Sequence, residues 1–197
     1  MNWIKHPALL KGQHVSLVPL NESHIAELVE LAQDKSIWKH YAIDGSDKDK
    51  LKTSLEQGIA DREGGTQYPF VIQLNENGQL IGSTRFLDIQ ENHQKLEIGW
   101  TWLHPDYWGT NINTECKYLL LTFCFEELQA KRVQLRTDEN NLRSRKAIEK
   151  IGGQFEGILR NDMVRDNGTT RNSAYFSIIP EEWQQTKAQL QELLASE

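Results

Sequence analysis

The stretch KLEIGWTWLHPDYWGTNINTECKYLLLTFCFEEL, residues 95–128, joins a strand to a helix and decides the fold. Its first part, Lys95–Leu103, alternates along the chain as a half-buried strand does, which predicts that the even-numbered residues from Leu96 to Trp102 share one face. Apolar residues then recur at helical spacing from Ile112 to Leu128. Between them lies a turn containing Gly109 and two asparagines. Because this turn leads straight into a helix, its backbone N–H groups are candidates for an anion site.

Periodicity and turn residues predict the elements on either side of this stretch. Further strands are predicted at residues 14–20, 68–74, 79–89, 131–138, 154–160 and 173–179, with turns at 75–78 and 165–170. Helices are predicted at 25–33, 47–63, 112–128, 142–151 and 181–196, the first capped by Asn21 or Ser23 and the fourth by Asn140 or Asn141. Strand, helix and strand in succession give a parallel crossover. The order therefore predicts an α+β fold with a mixed sheet, as a single domain over residues 1–197 with its core at about 14–184.

Composition and charge narrow the classes of function. The chain has 197 residues, 38% of them hydrophobic, and a net charge of −6, which is typical of a globular protein and disfavours nucleic acid as a partner. A net negative charge slightly favours a cationic substrate. No apolar run reaches the length of a membrane helix, and no metal-binding motif is found. Cys116 and Cys124 would lie about 12 Å apart on one helix, too far for a disulfide, which indicates free thiols in a reducing cytoplasm.

Three groups of side chains are candidates for chemistry, and each has a purely structural alternative. Asn141 and Ser144 open a helix, where they either cap it or face an anion together with Arg143 and Lys146. Glu97 is either a buried general base with a raised pKa or a glutamate on the wet face of its strand. Four aromatic residues either line a pocket for an ammonium group or pack in the core; they are Trp38, Tyr41, Trp100 and Trp102.

Taken in order, three motifs resemble the GNAT superfamily of acyl-CoA N-acyltransferases. They are LEIGWTWLHPDYWGTNINTECKYLL, NLRSRKAIEKIGG and YFSIIPEEW, and the resemblance extends from about Val15 to Trp183. The set is similar to the branch of ribosomal-protein N-terminal acetyltransferases, which shares with this chain Thr114–Glu115, Asn141 with Ser144, Tyr175, Ser177, Glu182 and Trp183.

The phosphate-binding loop departs from the family pattern Gln/Arg-x-x-Gly-x-Gly/Ala. Trp108 replaces the Gln or Arg, and Asn111 and Asn113 replace the two small residues. Asparagine tolerates positive φ better than most residues, so we expect it to preserve the loop. The N–H donors belong to the backbone and survive the change.

The resemblance implies transfer of an acetyl group from acetyl-CoA, without a metal, to a primary amine such as a protein or peptide N-terminus. It implies a mostly antiparallel sheet with helices on both faces and two central strands that splay apart. Glu97 would be the base, with His104 a weaker candidate, and Ser144 would protonate the thiolate. The residues implied to bind the cofactor are Trp102, Leu103, Trp108, Gly109, Thr110, Asn111, Ile112, Asn113, Thr114, Asn141, Arg143 and Lys146. A CoA-binding or inactive interaction module on the same fold is the alternative, and the oligomeric state is left open.

Overall fold

The computed structural model describes residues 3–196 and contains one mixed sheet of eight strands in the order β1-β2-β3-β4-β5-β6-β8-β7. The strands are β1 (Leu10–Lys11), β2 (Val15–Pro19), β3 (Tyr68–Leu74), β4 (Leu80–Gln90), β5 (Lys95–Leu103), β6 (Arg132–Asp138), β7 (Gln154–Val164) and β8 (Thr170–Ile178). The helices are α1 (Glu22–Leu31), α2 (Lys35–Trp38), α3 (Lys48–Glu63), α4 (Ile112–Thr122), α5 (Leu142–Lys150) and α6 (Pro180–Ala195). The predicted α+β fold with a mixed sheet is confirmed.

Helices cover both faces of the sheet, as predicted. One core cluster unites α4, α5 and α6 with the sheet face that carries Phe86 and Phe176. A second cluster unites α1, α2 and α3 with the opposite face around Val71. Cys116 and Cys124 are free thiols, as predicted, and both are buried in the first cluster.

Local sequence explains most of the helix starts. Four of the six helices are capped by a side chain that accepts a backbone N–H: Asn21 caps α1, Asp34 caps α2, Asp47 caps α3 and Asn141 caps α5. The start of α4 differs, because Asn111 makes no capping bond with its side chain. At its other end α4 continues into a π-helical segment, Phe123–Glu127. Two short elements, β1 and α2, were not predicted, since two to four residues carry too little periodicity to be recognised.

The two central strands part halfway along their length. β5 and β6 are the only parallel pair in the sheet over residues 3–196, and they pair only from Lys95 to Glu97 on β5. Beyond Glu97, β5 continues to Leu103 and β6 to Asp138, but the two strands no longer pair with each other. The splay that the resemblance implied is therefore present. It leaves the backbone groups on one side of β5 unpaired with β6, so an extended ligand can pair with them.

A β-bulge interrupts β5 inside this free segment. The register with β4 shifts between Ser83 and Arg85, and Trp100 has a φ of 51°, which is uncommon for a residue other than glycine. The bulge reverses the phase of the alternation, so that Leu96 and Ile98 lie in the first core cluster while Trp102 lies in the second. The predicted sharing of one face by the even-numbered residues is therefore wrong beyond Ile98.

Glu115 ties the start of the chain to α4. Its carboxylate accepts hydrogen bonds from the backbone N–H groups of Gln13 and His14, in the turn between β1 and β2. Glu115 is 4% exposed, and a side chain at Gly12 would collide with it. Glu115, the second residue of the Thr114–Glu115 pair, thus links the first turn of α4 to the turn between β1 and β2.

Candidate active site

A cleft of about 440 Å³ opens where β5 and β6 part. Its walls are β5, β6, the loop that follows β5, and the first turns of α4 and α5, with the segment after α2 at its far end. The residues implied to bind the cofactor line this cleft, with two exceptions. Ile112 packs against the first core cluster, and Lys146 is exposed on α5 outside the cleft. Lys150, one turn after Lys146, lines the cleft in its place.

The loop before α4 takes a different backbone path from the one expected. Only Gly109 has a positive φ, of 79°, whereas Asn111 is helical with a φ of −72° and Asn113 lies within α4. The expectation that the asparagines supply positive φ is therefore wrong. Asn111 instead donates from Nδ2 to the carbonyl oxygen of Leu193 at 3.2 Å, which ties the loop to α6. The Asn113 side chain faces the cleft.

Four backbone N–H groups at this helix start are free to bind a ligand. No acceptor within residues 3–196 is bonded to the N–H groups of Thr110, Asn111, Asn113 or Thr114. The N–H of Ile112 makes a long contact of 3.4 Å with Thr110 Oγ1. Together with the positive end of the α4 dipole, these N–H groups are suited to bind an anion.

Trp108 and Arg143 meet across the mouth of the cleft. The guanidinium carbon of Arg143 lies 3.9 Å from the centroid of the Trp108 ring, in cation–π contact. Trp108 is itself held by a hydrogen bond from Nε1 to the carbonyl oxygen of Leu103, at 3.0 Å. Where the family pattern has a Gln or Arg in the loop, this chain therefore has Trp108, whose ring contacts Arg143 of α5.

The start of α5 is capped by its own side chain and also lines the cleft. Asn141 Oδ1 accepts the N–H of Ser144 at 3.1 Å, so the capping interpretation is confirmed. Asn141 and Ser144 also line the cleft. No hydrogen bond within the described chain involves the Ser144 hydroxyl, which remains able to bind a ligand.

Glu97 lies at the point where β5 and β6 separate. It is 3% exposed, and it accepts hydrogen bonds from Arg136 Nε at 2.9 Å and Gln134 Nε2 at 2.8 Å. The interpretation as a glutamate on a wet face is therefore wrong. Burial raises the pKa of Glu97, and the charge of Arg136 opposes that rise. His104, the weaker candidate base, does not line the cleft.

The charge of the cleft is opposite to that of the whole protein. Glu97 is the only carboxylate that lines it within the described chain, whereas the cations are Lys117, Arg136, Arg143, Lys150 and Arg171. The net charge of the whole chain therefore does not describe the lining of the cleft, which is mostly basic. A basic cleft in an acidic protein fits an anionic ligand and leaves room for a single ammonium group beside Glu97.

The four aromatic residues divide into two pairs. Trp38 and Trp102 are each 4% exposed and belong to the core around α1 and α3. Tyr41 and Trp100 are half-buried, and their ring centroids lie 5.9 Å apart in the lining of the cleft. Arg85 covers one face of Trp100, at 4.8 Å from its centroid. Only the second pair can therefore contact a ligand extensively.

Several cleft residues were not predicted, and Lys117 is the most informative of them. It stands in the apolar run CKYLLLTFCF, where a lysine three residues after Thr114 shares that residue's helix face. Arg136 and Arg171 belong to strands, and only the sheet order brings them to the cleft.

No three His, Cys, Asp or Glu side chains in residues 3–196 cluster closely enough to hold a metal ion. No helix of the described chain is both long and apolar enough to cross a membrane.

Comparison with known proteins agrees with this geometry. The chain is similar to the "Putative ribosomal N-acetyltransferase YdaF" of Bacillus subtilis (strain 168), with 28% identity over 89% of this chain and 97% of that relative. A probable acetyltransferase of the GNAT family from Chromobacterium violaceum ATCC 12472 superposes with a TM-score of 0.81 at 32% identity, covering 90% of this chain and 88% of that one. RimJ of Mycobacterium smegmatis, solved with CoA-disulfide, has the same fold, with a TM-score of 0.81 at 21% identity and 95% coverage of both chains.

The family model described as an acetyltransferase (GNAT) domain matches residues 14–154, which include β5, the loop before α4 and the start of α5. Together with the splayed strands and the free N–H groups at α4, this match shows that the chain belongs to the GNAT family of N-acetyltransferases, enzymes that transfer an acetyl group to an amine.

Proposed function

We propose that this acetyltransferase uses acetyl-CoA to acetylate the α-amine of a protein or peptide. The observation that carries the proposal is the row of free N–H groups at the start of α4, beside the open side of β5. The row suits a diphosphate, and the unpaired strand suits an extended arm that carries amide groups. Acetyl-CoA has both parts, and when bound it supplies an activated thioester.

The residues around the cleft fit this co-substrate. Its diphosphate would lie on the N–H groups of Thr110 to Thr114, with the Asn113 amide beside them. Arg143 would reach it from α5, and Asn141 would face the pantetheine arm. On the side of β5 away from β4, the Tyr41 hydroxyl donates to the carbonyl oxygen of Thr101 at 2.5 Å. On the same side, Trp108 Nε1 donates to the carbonyl oxygen of Leu103 at 3.0 Å. Because N–H and C=O of one strand residue point the same way, the N–H groups of these two residues face the gap.

A residue of the cleft can be assigned to each step of transfer. Glu97 accepts a proton from the incoming ammonium group, directly or through one water, and the charge of Arg136 limits the rise in the pKa of its carboxyl group. The N–H of Thr101 or Leu103 stabilises the charge that develops on the carbonyl oxygen. The Ser144 hydroxyl donates a proton to the departing thiolate, a modest task since a thiol has a pKa of about 8.5.

A single α-amine suits the acceptor end better than a polyamine. A polyamine would need several unpaired carboxylates, and Glu97 is the only carboxylate of the cleft within residues 3–196. An α-amine, with a pKa of about 7.7–8.0, also needs less help from a base than a lysine side chain does. The name of the Bacillus subtilis relative supports a ribosomal protein as the acceptor.

Binding and turnover can be tested separately. Calorimetry should detect acetyl-CoA, and mass spectrometry should then detect a gain of one acetyl group on unblocked peptides and none on peptides with a blocked N-terminus and a free lysine. Acetylation of lysine or spermidine alone would overturn the assignment of the acceptor. Binding without transfer to any amine would favour a CoA-binding module, and no binding would exclude both functions.

Arg143→Ala is expected to weaken acetyl-CoA binding at least about tenfold, because a charge-assisted bond from arginine to phosphate contributes about 1.5–3 kcal/mol. The difference should shrink at high salt, because the site is partly exposed. Arg145→Ala is the matched control: this arginine is bonded to the Glu139 carbonyl oxygen and lies outside the cleft. Calorimetry on both variants checks the prediction, and equal affinities would contradict the assigned role of Arg143.

A further inference from the structure

Lys117 is a buried cation at the inner end of the cleft. It is 6% exposed, and its Nζ donates a hydrogen bond to Thr101 Oγ1 at 2.6 Å. Thr101 Oγ1 in turn lies 2.7 Å from the hydroxyl of Thr84 on β4. Thr101 belongs to the bulged segment of β5, next to Trp100, and its N–H faces the gap between the central strands. A side chain of α4 thus reaches the bulge from below.

This lysine lacks the partner that a buried cation normally has. No ion pair within the described residues involves Lys117, although burying an unpaired charge is costly. Its polar surroundings are the Cys116 thiol on its own helix, the two threonines on β4 and β5, and the cleft itself, where Glu97 is bonded to Arg136 and Gln134. Burial lowers the pKa of Lys117 to about 8, so the ammonium and the neutral amine are both accessible near neutral pH.

The chemistry of acetyl transfer supplies the missing negative charge. When an amine attacks a thioester, the nitrogen forms a bond to the carbonyl carbon and the π electrons move onto the oxygen. The electron pair then returns as the carbon–sulfur bond breaks. Donors held in place before the reaction stabilise this transient charge most effectively, especially where water is excluded. Lys117 lines the same cleft and is bonded to Thr101, one of the two residues whose N–H groups are candidates to receive that charge.

We propose that Lys117 is a catalytic residue, whose ammonium group donates a hydrogen bond to the thioester oxygen as it becomes negative and retains its own proton throughout. The inference rests on the proposed function, since it assigns a second donor to the same reaction. Thr101 is the corresponding positioning residue, because its hydroxyl orients the ammonium. The N–H of β5 and the Lys117 ammonium then stabilise the oxygen from two elements, β5 and α4.

The test is steady-state kinetics of Lys117→Met with acetyl-CoA and a peptide acceptor. We expect kcat to fall about 100-fold, as on removal of one oxyanion donor, while calorimetry finds the affinity for acetyl-CoA unchanged. The midpoint of thermal unfolding should stay level or rise, because the variant no longer buries a charge. A merely structural lysine would give the opposite combination, with a lower midpoint and a nearly normal kcat. Lys131→Met, which alters an exposed lysine outside the cleft, is the control.

The dependence of kcat on pH gives an independent readout. The wild-type kcat should decline as the pH rises above about 8, when Lys117 loses its proton, and Lys117→Met should lack this decline. Thr101→Val removes the acceptor of the ammonium and should move the decline to lower pH, which keeps the inference testable if Lys117→Met does not fold. If the wild type transfers acetyl groups, two results would overturn this inference alone. One is an undiminished kcat in Lys117→Met, and the other is a decline of kcat at high pH that neither variant alters. Absence of transfer by the wild type would instead overturn the proposed function and the inference with it.

Discussion

Glu97→Gln is expected to lower kcat at least about 100-fold, because a positioned general base contributes on the order of 10²–10⁴ to the rate. Glutamine keeps the size of the side chain and can still bond to Gln134 across β5 and β6, so the splay should persist. Since only the ionised carboxylate accepts a proton, the wild-type kcat should fall as the pH drops through the raised pKa of Glu97. That acidic limb should be absent from the variant.

A matched control separates this loss from damage to the fold. Glu156→Gln also removes a carboxylate bonded to an arginine, Arg132, but on β7 and outside the cleft. It should leave kcat within about twofold of the wild type, as expected for a surface substitution. If Glu97→Gln weakens acetyl-CoA binding without lowering kcat, Glu97 serves only to hold β5 against β6, and the base must be sought elsewhere.

Gly82→Ala is expected to have the largest effect on stability. A Cβ at this position of β4 would lie 2.1 Å from the carbonyl oxygen of Trp102 and 3.0 Å from Cα of Leu103, and both are backbone atoms that cannot rotate away. We expect the free energy of unfolding to fall by about 3 kcal/mol, the upper part of the range for overpacking. The free segment of β5 would shift as well, so acetyl-CoA binding should weaken in the molecules that remain folded.

Gly64→Ala provides the contrast for this substitution. Gly64 follows α3 with a φ of −72°, and an added Cβ would meet its nearest neighbour at 3.6 Å, which is ordinary contact. Alanine should therefore be neutral or slightly stabilising there. Denaturant unfolding of both variants, with calorimetry for acetyl-CoA, checks the pair. Equal stability of Gly82→Ala and the wild type would mean that β5 can move away from β4 at the bulge.

The sequence predicts the elements well because their periodicity is local, and it fails where two elements decide together. The alternation of LEIGWTWL predicts one unbroken strand, since nothing in the sequence indicates that Trp100 has a positive φ. The bulge is a shift of register against β4, and Arg85 of β4 covers the ring of Trp100. These are tertiary facts, and local propensity carries no trace of them.

The same limit applies to the site. The loop before α4 and the start of α5 could be predicted as parts of the cleft, because each is a contiguous motif at a helix N-terminus. The geometry of Asn111 could not, since its side chain bonds to α6, 82 residues away. Lys117 reads as an interruption of an apolar helix until the bulge provides Thr101 as its partner. The basic lining of the cleft is likewise invisible in a net charge of −6.

The burial of both cysteines has a practical consequence. Cys116 and Cys124 are inaccessible to solvent, and burial raises the pKa of Cys116 to about 12, so neither forms the reactive thiolate near neutral pH. A chromogenic disulfide reagent added to the native protein should therefore report only the thiol of released CoA. Turnover can thus be followed continuously with an unmodified chain, and a slow background of colour would measure how often the core opens.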